Sequence, residues 1–369
     1  MQAFLELFSN VLNFTWQQAL MIVIGSLLVY LAIAKDMEPT LLLPMGFGAI
    51  LVNLPFVNAS AIITLFDAGI ATELFPLLLF IGIGAMIDFG PLLSNPKMLL
   101  FGAAAQFGIF FTLIVARLIG FELNDAASIA IIGAADGPTS IYVSQYFASR
   151  YQGAIMVAAY SYMALVPIIQ PPVVRLITTR KERLIRMPYK PASISRKTRI
   201  LFPIIVTIVA GTIAPKSAEL IGFLMFGNLI RECGVLNSLS DTAQNALANL
   251  VTILLGISIS IRMQAADFVN IQTLAIIALG LVAFIFDTAG GVVFAKILNL
   301  FLKTKINPMV GACGISAFPM SSRVIHKMGL KEDKQNFLLM HAAGANVSGQ
   351  IASVIAGGLL ITLVEAIIR

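Results

Sequence analysis

Charge is scarce in this chain: of 369 residues only 11% are Asp, Glu, Lys or Arg, while 59% are hydrophobic. Soluble domains carry about 25% charged residues, so a water-soluble fold is excluded. Cysteine is scarce too. Cys233 and Cys313 lie in separate apolar stretches without metal-ligand spacing, which excludes a disulfide framework and a zinc site. The two histidines, His326 and His341, have no partner at ligand spacing, and there is neither a P-loop nor a Gly-x-Ser-x-Gly elbow. No polar interval is long enough for a soluble domain. Residues 1–15 include Glu6 and lack the basic region and small-residue cleavage site of a signal peptide, so the first segment is expected to stay in the mature chain, at the interface.

What is there is apolar runs of spanning length, about 17–25 residues. They are predicted near 16–34, 39–58, 70–88, 97–120 and 151–175, with a Gly/Pro-interrupted segment near 126–147. The plan returns near 199–214, 217–236, 243–261, 270–302 and 336–366, with a second interrupted segment near 306–328. MGFGAIL at 45–51 matches LMFGNLI at 224–230, IIGAADG at 131–137 pairs with MVGACGI at 309–315, and VPIIQPPVV at 166–174 falls opposite NVSGQIASV at 346–354. A register held for so long indicates internal duplication, the mark of secondary-transporter folds. The net charge of +6 is concentrated rather than spread, with nine basic residues between Arg175 and Arg199. Beside a span this is a cytoplasmic loop, not a nucleic-acid surface. Acidic Glu122 and Asp125 follow one span where Lys303 and Lys305 follow its counterpart, so the halves are expected to be inverted. The expected fold is an all-α polytopic membrane protein in the lipid bilayer: a first repeat over 1–175, a basic linker over 176–198 and a second repeat over 199–369. Each repeat has about five spans and one interrupted segment, which either re-enters as a hairpin or crosses as a broken helix.

Carboxylates inside hydrocarbon are costly and usually functional. Of eighteen acidic residues, only Asp136 and Asp287 fall well inside apolar segments. Asp136 sits in IIGAADGPTS, where Gly133, Gly137 and Pro138 break the helix and free backbone carbonyls. Carboxylate, carbonyls and the hydroxyls of Thr139 and Ser140 make an oxygen-rich nest for a hard cation, of which sodium is the obvious candidate; the plainer reading is a helix cap. The related break at 307–323 contributes Asn307, Ser316, Ser321, Ser322 and Arg323 but no carboxylate. Tyr162 and Asn346, on the spans that follow the two breaks, either complete a central site or pack between helices. Arg323 either receives an anionic group or anchors the cytoplasmic side. Asp287 is as compatible with helix pairing as with ion handling.

GAADGPTSI at 133–141, YSYMALVPIIQPPV at 160–173, TTRKERLIRM at 178–187, NPMVGACGISAFPMSSRV at 307–324 and HAAGANVSGQIASVIAGG at 341–358 resemble the signature blocks of a known family. It comprises the beta subunits of sodium-pumping, biotin-dependent bacterial decarboxylases acting on oxaloacetate, methylmalonyl-CoA, glutaconyl-CoA or malonate. The resemblance covers nearly the whole chain and implies a multi-pass subunit of the bacterial cell membrane. Such a subunit decarboxylates carboxybiotin supplied by a partner, consumes a proton and exports sodium ion. It implies functional roles for Asp136, Tyr162, Asn307, Gly311, Ser316, Arg323 and Asn346. In this reading Asp136, Ser316, Asn346, Asn307 and Gly311 form the sodium site, Asp136, Tyr162, Ser316 and Arg323 take part in catalysis, and Arg323 and Asn307 meet the carboxybiotin. The partners implied are a biotin carrier subunit, a carboxyltransferase alpha subunit, a small gamma or delta membrane subunit and further copies of this chain. The short chain points to the CoA-ester branch. An ion-coupled secondary transporter would explain the duplication and Asp136 but not the five blocks, and a purely structural anchor needs no buried acid.

Overall fold

The computed structural model describes residues 14–55, 57–189 and 193–368, and all regular structure among them is helical. The first half runs α1 (Trp16–Lys35), α2 (Pro39–Val52), α3 (Ser60–Gly69), α4 (Leu74–Met86) and α5 (Pro96–Ile119). Then come α6 (Leu123–Ala130), which tightens into a 3-10 turn at Ile131–Ala134, α7 (Gly137–Tyr146) and α8 (Gln152–Ile177). The second half runs α9 (Arg196–Ile213), α10 (Ala218–Glu232), α11 (Asn237–Met263), α12 (Ile271–Phe301), a 3-10 segment Pro308–Gly314, α13 (Met320–Glu332) and α14 (Leu339–Ile368). Six of these, α1, α5, α8, α11, α12 and α14, are long and apolar enough to cross a membrane, and α3 with α4, bent by 63°, makes a seventh. Their outer faces carry exposed Leu118, Leu176 and Phe301, as lipid-facing helices do.

Local chemistry sets the ends. A capping box of Thr15 and Gln18 starts α1, Ser195 caps α9 and Asn270 caps α12. Three departures from the sequence expectation have visible causes. The segment at 39–58 stops being helical at Val52, where the Asn53 amide donates to the carbonyls of Ala49 and Met263, both at 2.8 Å. α3 precedes the expected span at 70–88, because Glu73 takes a left-handed φ of 62° and bends the chain there. α5 is interrupted at Gln106, between Ala105 and Phe107.

Lipid tails are as apolar as leucine, so helices associate in the membrane through close van der Waals packing, which small residues permit. Gly25 of α1 and Gly46 of α2 meet so closely that a Cβ at either would stand 2.7 Å from the other's carbonyl oxygen. Between the halves the pairing is reciprocal. α4 packs on α10 with Gly84 against the Leu224 carbonyl and Gly227 against the Ile81 carbonyl, while α11 packs on α2 with Gly256 against Leu41 and Gly48 against Ser260.

In both interrupted segments the two ends are brought together. At the foot of the first, Arg150 pairs with Glu122 at 2.6 Å and with Asp125 at 3.2 Å, and the Ser149 hydroxyl donates to Asp125 at 2.7 Å. At the foot of the second, Asn307 and Asn336 each donate to the Arg183 carbonyl at 2.9 Å, and Arg183 pairs with Glu332 at 2.7 Å. The Gln335 N–H and the Arg186 guanidinium beside Asp333 hold its carboxyl below the ordinary aspartate range. Each segment is therefore a hairpin, and the hairpins meet tip to tip where the Ser316 N–H donates to the Ala134 carbonyl at 3.0 Å.

Candidate functional site

The tip of the first hairpin is shaped by four residues. Ala135 adopts a left-handed φ of 51°, Asp136 is extended, and Gly137 and Pro138 begin α7. Proline fits there because the first amides of a helix have no intrahelical acceptor to lose. Gly137 is required because a Cβ would enter the Tyr160 ring. Asp136 is the N-cap of α7, its Oδ1 accepting the Thr139 N–H at 3.2 Å. The cap reading is thus correct as far as it goes, but it uses only one carboxylate oxygen.

The other oxygen gathers the rest of the molecule. Oδ2 accepts the Ser316 hydroxyl of the second hairpin at 3.0 Å and the Ser353 hydroxyl of α14 at 2.6 Å. α14 comes this near because Gly349 lies on the second tip, where a Cβ would be 2.5 Å from the carbonyl oxygens of Gly314 and Ile315. Asn346 donates to the Ile315 carbonyl at 2.7 Å and Gln350 to the Ser316 carbonyl. Asp136 is 4% exposed, and around it the Tyr160 hydroxyl, Asn346 Oδ1 and Gln350 Oε1 are buried without a hydrogen-bond partner among the described residues. Buried polar atoms are rarely left unmatched, and a carboxylate with amide and hydroxyl oxygens is the donor set of a hard monovalent or divalent cation.

A cavity of about 240 Å³ runs from Asp136, Ser316, Gln350 and Tyr160 to Glu38 and Thr40 at the start of α2, walled by α4, α8 and α11. α11 contributes Gln244 from a π-helical turn at Thr242–Leu247, and Asn249 and Thr252 from the turns after it. Such turns recur beside functional sites.

Of the residues singled out in the sequence, Asp136 and Ser316 are in direct contact and Asn346 adjoins them. Arg323 is exposed on the first turn of α13, and its charge is felt at Glu38 at the cavity mouth. Asn307 lies at the hairpin foot, with Oδ1 on the Met309 N–H at 3.1 Å and its amide on the carbonyls of Arg183 and Ile185, both at 2.9 Å. Gly311 lets the second hairpin touch the backbone of α12 at Gly291. The Tyr162 hydroxyl donates to the Ile277 carbonyl, and Tyr160, on the other face of α8, lines the cavity instead.

Ser353, Gln350 and Tyr160 were not foreseen. For Gln350 a signal existed: in the sequence it falls opposite Gln170, which donates to the Ala312 carbonyl and to the Ser321 hydroxyl, both at 2.8 Å, so each half of the chain holds the second hairpin by the same residue type. Asp287 is fully buried on α12, and its Oδ1 accepts the Gly108 N–H at 2.5 Å, just past the interruption of α5. It caps the second segment of α5 from a neighbouring helix, while its Oδ2 rests on Gly133 of the first hairpin.

Residues 17–364 match the family model described as the Na+-transporting oxaloacetate decarboxylase beta subunit. The chain is 49% identical to the glutaconyl-CoA decarboxylase subunit beta of Acidaminococcus fermentans over 96% of both chains. It is 48% identical to the methylmalonyl-CoA decarboxylase subunit beta of Veillonella parvula, covering 99% of this chain and 100% of that one. With the oxaloacetate decarboxylase beta chain of Haemophilus ducreyi it shares 42% identity over 100% of both.

Proposed function

This chain belongs to the beta-subunit family of Na+-transporting decarboxylases, and from that premise we propose that it decarboxylates carboxybiotin and couples the reaction to sodium export at Asp136. The observation that carries the reading is one buried carboxylate to which two hairpins and α14 all converge, at the closed end of a cavity. A plain secondary transporter would account for such a site, but not for near full-length identity to three decarboxylase subunits.

The chain is a multi-pass membrane protein, and we read it as two inverted repeats of five spans and one hairpin each, over 1–175 and 199–369, joined by a cytoplasmic linker at 176–198. Contacts between the halves support this. Gly48 and Gly227, which the repeats align, hold reciprocal crossings, and Asp88 at the end of α4 lies 3.8 Å from Arg199 at the start of α9. The linker, the foot of the second hairpin and the cavity mouth then share the cytoplasmic side, and the foot of the first hairpin, the start of α1 and the end of α14 face outward.

Sodium enters from the cytoplasm and is held by the Asp136 carboxylate with oxygens of Ser316 and Asn346; Thr139, Gln350 and Tyr160 lie within the same shell. Arg323, beside the mouth, receives the anionic carboxylate of carboxybiotin, which a biotin carrier subunit presents. Release of CO2 leaves a nitrogen that takes up one proton. That proton arrives from outside by way of Asp136, whose neutralisation expels sodium outward, with Ser316 as a conduit; Tyr162, bonded to the Ile277 carbonyl on the other face of α8, is not on that path. Asn307 and Gly311 act by fixing the second hairpin between linker and α12. A carboxyltransferase alpha subunit, a small gamma or delta membrane subunit and further copies of this chain complete the assembly. A CoA ester is the favoured substrate class, because the two CoA-ester relatives align over 359 and 372 positions, near this chain's length, while the oxaloacetate one needs 436.

The decisive variant is Asp136→Asn. The amide retains the cap on Thr139 but cannot exchange a proton for sodium, so sodium-dependent carboxybiotin decarboxylation in membrane vesicles should vanish while the assembled complex is recovered in normal yield. Activity near that of the parent would end the assignment.

A further inference from the structure

Two cavities away from Asp136 share the same pair of helices. At the start of α5 and the end of α12, a pocket of about 410 Å³ is lined by Lys97, Lys303, Lys305 and His341 and has no acidic wall. Among the described residues Lys97 and Lys303 have no ion-pair or hydrogen-bond partner, and Lys305 donates only to the Asn299 carbonyl. Further along the same helices an apolar groove of about 580 Å³ opens to the lipid face, walled by Ala103, Phe107, Phe110, Phe286, Ala289 and Val293. Its near edge begins six residues beyond Lys97, about 9 Å along a helix rising 1.5 Å per residue. Between pocket and groove the surface is apolar and exposed, with Leu99, Leu100, Leu300 and Phe301.

We propose that this surface binds an anionic phospholipid, its phosphate among the three lysines and an acyl chain in the groove between α5 and α12. Basic pockets between spans on the cytoplasmic side take such head groups. A free phosphate would use the pocket but have no use for the groove. An acidic segment of a partner protein would likewise leave the aromatic walls of the groove unexplained. Unpaired lysines at a membrane boundary each contribute about 1 kcal/mol to an anionic lipid, or roughly fivefold in affinity, so removing two should weaken binding about 25-fold.

The purified full-length protein in detergent is titrated with dioleoyl-phosphatidylglycerol, dioleoyl-phosphatidylcholine or inorganic phosphate, reading bound lipid by native mass spectrometry and thermal stability by unfolding. Phosphatidylglycerol should bind and raise the melting temperature, phosphatidylcholine should bind at least tenfold more weakly, and phosphate should do neither. Lys97→Gln with Lys303→Gln should lose the preference for phosphatidylglycerol, while Lys97→Arg with Lys303→Arg keeps it and verifies the fold. Ala289→Phe, which fills the groove without touching the charge, should weaken both lipids. Equal binding of the two lipids, or retention of phosphatidylglycerol by the glutamine variant, would overturn the site. Stabilisation by inorganic phosphate would make it a free-anion site. Loss of biotin-carrier association in the glutamine variant with lipid binding intact would make it a protein-docking face.

Discussion

Ser353 offers the sharpest test of the exchange at Asp136. Its hydroxyl donates to Oδ2 at 2.6 Å from a fully buried residue that is not among those lining the cavity, so cavity water is not placed to replace the lost donor. A hydrogen bond to a charged group contributes about 1.5–3 kcal/mol, and about 1.4 kcal/mol is a factor of ten. Ser353→Ala therefore raises the cost of the ionised form by roughly tenfold or more relative to the protonated one. On the proposed exchange sodium binds only the ionised form, so protons compete more successfully in the variant. The sodium concentration giving half-maximal decarboxylation in proteoliposomes should rise about tenfold where the protonated form predominates. The deficit should shrink as pH rises, because the bare and sodium-bound carboxylates then lose the same donor. Half-saturation within twofold of the parent at every pH would refute the argument, as would a deficit that does not vary with pH.

Lys181→Cys should label from the face opposite to Glu122→Cys and Arg150→Cys, which should label together because they stand at the two ends of one hairpin; impermeant maleimide on intact and inverted vesicles reads this, and Arg150→Cys labelling with Lys181→Cys would break the hairpin. Asp287→Ala should cost about 1–3 kcal/mol by leaving the Gly108 amide unmatched, whereas Asp287→Asn retains an acceptor and most of the stability; unfolding in detergent compares them, and equal loss in both would show that the negative charge is what counts.

Much of the site could be read from the sequence because Asp136 and Ser316 stand where Gly and Pro interrupt apolar runs, and a break is a local signal. The hairpin feet were less legible. Charge placed Glu122 and Asp125 apart from Lys303 and Lys305, but the return of each segment depends on Arg150 and Arg183, which are brought back by 28 and 149 residues of chain. Ser353 escaped notice because α14 is an unbroken helix, buried on several faces, in which a lone serine does not mark the face that meets the tips, and Gln350 was marked only by its alignment with Gln170. Tyr160 and Tyr162 are two positions apart, so they point to opposite sides of α8, and only packing decides which of them meets Asp136. The interruption of α5 at Gln106 has no Gly or Pro at the break itself; it is sustained by Asp287, 179 residues away.

The cavity that ends at Asp136 also shapes the electric field. Filled with water from the mouth at Glu38, the cavity would carry the potential of that side as far as Asp136, so little voltage would fall along it. The barrier that remains is about the length of α7, ten residues or roughly 15 Å, half of a hydrocarbon core of about 30 Å. Nearly the whole membrane potential is compressed across that half, roughly doubling the field there. On the proposed sodium path, filling the site from the cytoplasm is thus almost insensitive to voltage. The outward step carries essentially all the electrical work, about 2.3 kcal/mol per charge at 100 mV, and an opposing potential should slow turnover without weakening sodium binding.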